Sequence, residues 1–438
     1  MKKIKYYLTL CLAILSVFLL VACDDGGSTT TEKLAVPTVT ISETGLASWE
    51  AIPNAKGYKY VIDGGEVLLT TSTSVQLEDG QEIKVKAVGS GNYTDSAYCA
   101  AVSYTAPVVK KLGLPTPAVG FYIKNADLIQ DGEVRYLTYI TNKTQAEQDN
   151  IVAVRKAVKD VDGWIYEEEQ TVALEGAAGA WDEYITAASL VKGVFNYQGT
   201  EYAWLLVYAA TDKANETCNE IGLAVATDPS QAFVRVGTVP VITYDETIHN
   251  AFVGVSSPSA VNYNKVSGIR IFYTYADAYG AFARFHDIDC ANLDAVTPVD
   301  AAYTIHMTNK GNLQGGEDVL MFPNADFAYN AAEGTFVCVK DVSPAGSTNP
   351  KVATAIELAW IAEAELYTTD VETGFTSLGA YDGFDLGTVY ERVYNASLVS
   401  DAYGHALEVM EVVYNVSDLE ADNADYIYSQ YLRDFVVE

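Results

Sequence analysis

Positive charge is what this chain has least of for its size. There are 27 lysines and arginines against 58 aspartates and glutamates, a formal net charge of −31. So acidic a surface repels phosphate backbones and anionic headgroups, which excludes nucleic acid and a basic-patch contact with membranes. Only 4 histidines occur, and no paired-histidine metal motif is among them, so no metal or other cofactor is expected. Cysteine is sparse as well. Cys11 and Cys23 lie near the N-terminus, and Cys99, Cys218, Cys290 and Cys338 are scattered. That scatter supports neither a disulfide framework nor a thiolate metal site. Buried single thiols are expected, and a Cys218–Cys290 pairing stays open. After the first two dozen residues no apolar run is long enough to span a bilayer, and convincing helical periodicity is scarce.

What is present begins with an export signal. Lys2, Lys3 and Lys5 precede an apolar run from about Tyr7 to Leu20, the arrangement of a secretory signal. The run ends in Leu20-Val21-Ala22-Cys23, which resembles the lipobox of bacterial lipoproteins. The resemblance implies cleavage after Ala22, lipidation of Cys23, and a mature chain held to a bacterial membrane or cell surface, outside the cytoplasm, by acyl chains. Residues 1–22 are then the signal peptide and 23–33, which have no periodicity, a flexible tether.

Alternation of period two dominates the rest, with Gly-, Asn- and Asp-bearing turns at short intervals, as in an all-β protein. Residues 34–106 contain Trp49, the stretch Ala55-Lys56-Gly57-Tyr58, Leu77, Gly80 and "IKVKAV" from Ile83 to Val88. Along its whole length this segment resembles a fibronectin type III module, an immunoglobulin-like sandwich that implies a spacer or adhesive role. Trp49, Tyr58, Tyr60, Leu77, Ile83 and Val85 would fill its core. The Pro-bearing residues 107–114 read as a linker.

Residues 115–438 carry a repeat. "AASLV" (187–191), "SPSAV" (257–261), "NADFA" (324–328) and "NASLV" (395–399) share small, polar and apolar positions. Their third residues, Ser189, Ser259, Asp326 and Ser397, are 70, 67 and 71 positions apart. One more step back reaches "PAV" (117–119). Aromatic-rich strands follow each copy, among them "VRYLTYIT" (134–141), "YAWLLVYAAT" (202–211), "IRIFYTYA" (269–276), "TFVCVKDV" (335–342) and "LEVMEVVYNV" (407–416). Five such units predict a five-bladed β-propeller. Small residues open the innermost strands because five blades converge there, and Pro258 is tolerated at a strand's start.

The combination of "IGLAVATDP" (221–229), "GVSSPSAV" (254–261) and "DFAYNAAEGTFVCV" (326–339) is similar to the five-bladed glycosidase propellers, the arabinanase, xylosidase and fructosidase group. The resemblance implies substrate binding at the mouth of the central channel, with three carboxylates near the starts of three inner strands. Carried over, those positions fall on Thr116-Pro117, Ser257-Pro258-Ser259 and Asn324. None is ionisable, and such groups hydrogen-bond a sugar without shuttling its protons. The leading expectation is therefore carbohydrate binding without the family's hydrolysis. A hydrolase using relocated carboxylates, Asp182 and Asp326 first, is the competitor, because glycoside hydrolysis needs a paired acid and base. An adhesive or protein-binding propeller is the third possibility. Trp181, Tyr184 and Tyr279 are candidates for stacking on sugar rings. Ser257, Asn324, Arg392 and Asn395 are candidates for polar contacts, and His405 for a central ion or water. Tyr139, Tyr208 and Tyr273 alternate within strands and read as packing between blades.

Overall fold

The computed structural model describes residues 31–41, 45–104, 109–111, 122–144, 150–161, 163–249, 252–278, 280–307, 322, 324–343, 353–367, 374–383, 385–386, 392–417 and 429–435. Strands make up nearly all of its regular structure; among the described residues helix is limited to the turn Glu246–His249 and three short 3-10 turns. The chain divides into two compact units at Ala106/Pro107. The signal segment, Cys23, Thr116-Pro117, "PAV" and Tyr279 lie outside the described residues.

The first unit is a sandwich. A sheet of Val39–Ile41, Leu46–Trp49 and Ser74–Gln76 faces a four-stranded sheet ordered Leu68–Thr70, Ala55–Ile62, Glu82–Gly89, Val102–Ser103. Ile83, Val85 and Ala87 point inward on alternate positions and meet Ala47, Trp49, Tyr58 and Leu77. Trp49 and Tyr58 pack edge to face at 5.3 Å, and the Tyr58 hydroxyl leaves the core to accept the Ile52 N–H at 2.8 Å. Burial of the two rings, with the Tyr58 hydroxyl satisfied, stabilises so small a unit.

The second unit holds five sheets, each built on an antiparallel meander (blades 1 to 5). Their innermost strands are Lys124–Asp131, Tyr184–Tyr197, Gly254–Asn262, Asp326–Asn330 and Arg392–Leu398. The second strands are Val134–Asn142, Thr200–Thr211, Gly268–Asp277, Thr335–Val342 and Met410–Ser417. In blade 5 the outermost strand comes from the other end of the unit. Val109–Lys111, within the stretch read as a linker, pairs antiparallel with Ser429–Phe435 through Val109↔Arg433 and Lys111↔Tyr431. The two chain ends of the unit thus share one sheet. In blade 1 the inner strand begins at Lys124 rather than near residue 117, and Asp127 holds the position of Ser189, Ser259, Asp326 and Ser397.

Apolar side chains alternate to both faces of each blade and form a core between every neighbouring pair. Blades 1 and 2 share Ile140, Val152, Leu190 and Leu206; blades 2 and 3 share Val207, Leu223, Ile271 and Tyr273. Phe272, Phe285, Phe327 and Phe336 join blades 3 and 4, Val339, Leu358, Val393 and Tyr414 join 4 and 5, and Leu128, Tyr139, Tyr394 and Val413 join 5 and 1. This cyclic pattern closes the ring and makes the unit a five-bladed propeller.

The second strands explain part of the tyrosine content. The residue after the cross-strand partner of each third position is Tyr139, Tyr208, Tyr273, Lys340 or Tyr414, and all five are fully buried. Each polar tip finds a partner, as burial demands. The tyrosine hydroxyls reach Gln170, Asp182, Thr304 and Leu386 O. In blade 4 a lysine replaces the tyrosine, and its Nζ lies 3.0 Å from Glu357 Oε2.

One loop runs across the lower end of the ring. Ser400–Asp401 pairs with Ile129–Gln130 of blade 1. Lys192 N–H of blade 2 donates to Ala402 O at 2.7 Å, Asn262 N–H of blade 3 to Tyr403 O at 2.9 Å, and Tyr329 N–H of blade 4 to Gly404 O at 3.0 Å. Residues 400–406 of blade 5 therefore satisfy backbone groups at the far ends of the four other inner strands, which no sheet neighbour could reach.

Candidate functional site

Near their starts the inner strands line a small cavity of about 40 Å³ on the ring's axis, opposite the loop 400–406. Five residues of strand separate, for example, Ser257 from Asn262, roughly 16 Å at the usual rise per residue. The cavity is thus open at one end and closed at the other.

Its rim is built by a repeated irregularity. Asn125, Ser257, Asn324 and Asn395 all have left-handed backbone, with φ of 49, 48, 48 and 48°. In blades 1, 3 and 5 the pairing register slips at these residues, as in a β-bulge. A bulge re-aims side chains at a strand's end, and Asn is the non-glycine residue that best tolerates this conformation. Blade 2 makes its slip between Ile185 and Ala187 with no such residue. Small residues follow the bulges, Ala126, Pro258, Ala325 and Ala396, joined by Ala187 and Ala188 of blade 2. The rim polar groups are neutral and partly engaged. The Ser257 hydroxyl donates to Asn324 Oδ1 at 2.8 Å, and Asn324 Nδ2 donates to Asp341 Oδ2 at 2.7 Å. Asn125 Nδ2 donates to Thr186 O at 2.6 Å. An amide so oriented keeps a further donor and a lone pair for a ligand.

Beneath the rim the third residues tie the blades together in sequence. Asp127 Oδ2 accepts the Leu190 N–H at 2.7 Å, and Ser189 Oγ accepts the Ala260 N–H at 3.1 Å. Ser259 Oγ accepts the Phe327 N–H at 2.9 Å, and Asp326 Oδ2 accepts the Leu398 N–H at 2.8 Å. In each case the donor is the residue after the next blade's third position. Inner strands have no sheet neighbour on the axis side, so their N–H groups need such acceptors. Ser397 closes the circle, donating to Asp326 Oδ2 at 2.8 Å and lying in hydrogen-bonding position to Asp127 as well.

Burial, and then the repulsion of Asp326, pushes the Asp127 carboxyl up to about 7. Burial likewise raises Asp326, and raises Asp341 to about 7. All three lack enough compensating charge to be comfortable as anions.

The sequence candidates distribute unevenly. Ser257, Asn324, Asn395 and Asp326 line the cavity. Arg392 is 8% exposed behind it, with its guanidinium 4.1 Å from the Tyr394 ring centroid. His405 sits in the closing loop, its Nε2 3.0 Å from Asn262 O and its ring edge-on to Tyr329; burial lowers its pKa. Trp181 and Asp182 are elsewhere. Trp181 stacks on Tyr208 at 5.7 Å, and Asp182, 1% exposed, binds Arg235 Nε at 2.6 Å and the Tyr208 hydroxyl at 3.0 Å. Both serve packing between blades 1 and 2, and neither these two nor Tyr184 lines the cavity. Removing the acceptor in Asp182→Ala should cost about 1–3 kcal/mol by stranding the Tyr208 hydroxyl. A melting curve checks this, and binding at the cavity should be unchanged. Asn125 and Asp127 are the cavity-lining positions the repeat arithmetic missed; "NAD" at 125–127 duplicates "NAD" at 324–326 and was the available signal.

No family model matches this sequence, and no curated protein matches it. Among solved structures the chain is similar to a thermostable family-43 glycoside hydrolase (14% identity, TM-score 0.48, 75% of this chain and 93% of that one). It is similar also to an endo-arabinase from Bacteroides thetaiotaomicron (10%, TM-score 0.45, 75% and 99%). A third is an α-L-arabinofuranosidase from Lactobacillus brevis (11%, TM-score 0.47, 72% and 92%).

Proposed function

We propose that this protein is a surface lipoprotein, lipidated at Cys23, whose fibronectin type III-like module carries a carbohydrate-binding propeller that does not hydrolyse its ligand. The single observation that carries the reading is the chemistry of the rim. Three asparagines and a serine surround a depression floored by alanines and a proline, with the Asp127 and Asp326 carboxyls beneath, which suits a neutral polyhydroxylated ring and offers nothing to pair with an anionic one.

Hydrolysis by an acid–base pair finds little support. Of the two carboxyls lining the cavity, Asp127 and Asp326, each already accepts a backbone N–H and a serine hydroxyl from the adjacent blade. Groups held in that way are strand ties first, and a proton donor to a leaving oxygen must be free to approach it.

Glycan-array binding with a parallel hydrolysis screen tests the proposal. Binding of neutral glycans without turnover is expected, and Asn324→Ala and Asn395→Ala should each weaken binding about tenfold, one lost hydrogen bond's worth. Turnover abolished by Asp326→Asn would replace the binding reading with a hydrolase. Absence of any glycan signal would favour a protein-binding propeller. Metabolic labelling with a fatty acid, lost in Cys23→Ser, tests the anchor.

A further inference from the structure

Among the described residues, the two carboxyls beneath the rim have no counterion. Asp127 of blade 1 and Asp326 of blade 4 line one cavity, and its lining includes no lysine, arginine or histidine among the described residues. What faces them can be named blade by blade. Blade 2 contributes Ser189 and the Leu190 N–H, and blade 3 contributes Ser259. Blade 4 adds the Phe327 N–H and the Cys338 thiol, itself held protonated by burial. Blade 5 adds Ser397 and the Leu398 N–H. Lys340 and Arg392, on the adjoining strands of blades 4 and 5, act on Glu357 and Asp341. Ser397 stands between the two acids with a single hydroxyl proton, which can serve only one of them at a time. A second proton, carried by one of the carboxyls, would complete the network.

We propose that Asp127 and Asp326 share one proton at neutral pH and form a pH-sensitive clasp across blades 4, 5 and 1, the seam at which the ring closes. Blade 5 is the blade whose outer strand comes from residues 109–111, so its inner strand has most to lose if its tie to Asp326 slackens. The direction of the pH effect follows from burial, which favours the neutral acid. The folded protein then binds more protons than the unfolded chain from about pH 4 upward, so stability falls as pH rises through about 7, where Asp127 titrates. This reading stands apart from the glycan proposal and survives its failure.

The experiment is thermal unfolding of the full chain between pH 5 and 8.5. The wild type should lose a few degrees of Tm over that range. Asp127→Asn and Asp326→Asn keep an acceptor for Leu190 and Leu398 and should each flatten the slope. Glu201→Gln, an exposed control, should keep the wild-type slope and so account for general acidic repulsion. Infrared spectroscopy of the wild type gives a readout independent of any variant: a protonated-carboxyl band should persist at pH 6 and fade on raising the pH. Wild-type slopes in both asparagine variants, or no such band, would overturn the proposal. So would a stoichiometric divalent cation in the purified protein whose chelation lowers Tm, since the pair would then be ionised around a metal.

Discussion

Lys340→Met is expected to destabilise the propeller by about 3–5 kcal/mol, the usual cost of stripping one partner from a buried ion pair. Lys340 and Glu357 are paired across neighbouring strands of blade 4 and are 1% and 0% exposed. The Glu357 carboxylate also accepts the Ser377 hydroxyl at 2.6 Å, and without its cation its charge would sit where water cannot reach it. Chemical denaturation of wild type and variant checks the size of the loss. The other blades indicate the remedy. Four of them put tyrosine where blade 4 has lysine, so Lys340→Met combined with Glu357→Leu should recover most of the loss. A double mutant no better than the single would show that packing, not charge, is what the lysine supplies.

Gly404→Ala should be nearly as damaging. Gly404 has φ of +77°, and a Cβ there would lie 2.7 Å from Ala260 O and 3.0 Å from Val261 Cα. Left-handed backbone costs alanine about 1–2 kcal/mol, and the clash is with main chain, which cannot turn aside. The loop must move, and its movement breaks the Tyr329–Gly404 bond and strains those to Lys192 and Asn262. A total loss of roughly 3–4 kcal/mol follows from adding one or two such bonds. Hydrogen exchange should locate it at Lys192, Asn262 and Tyr329. Wild-type protection at these three amides would refute the account.

Much of this architecture could be read from the chain because strands repeat their chemistry as well as their shape. Ser189, Ser259, Asp326 and Ser397 marked four inner strands, since five converging strands leave room only for small residues before each tie. The first strand escaped because the interval from Asp127 to Ser189 is 62 residues. A seventy-residue step from Ser189 overshoots it. Trp181 and Asp182 precede an inner strand in sequence, which makes them candidates for the mouth. What decides their place is the Tyr208 hydroxyl, whose demand for a buried acceptor shows only when the blades are assembled. Likewise His405 stands out in the sequence, but the role of the loop that carries it does not. Its partners are backbone groups 70 to 270 residues away, and backbone groups carry no signature in sequence.

A hub sealed below by residues 400–406 is a cul-de-sac. No polymer can thread it, so whatever it accommodates must be an end or a short side branch presented from above. Entry and exit share one doorway, and an occupant's residence time is set by how quickly it backs out.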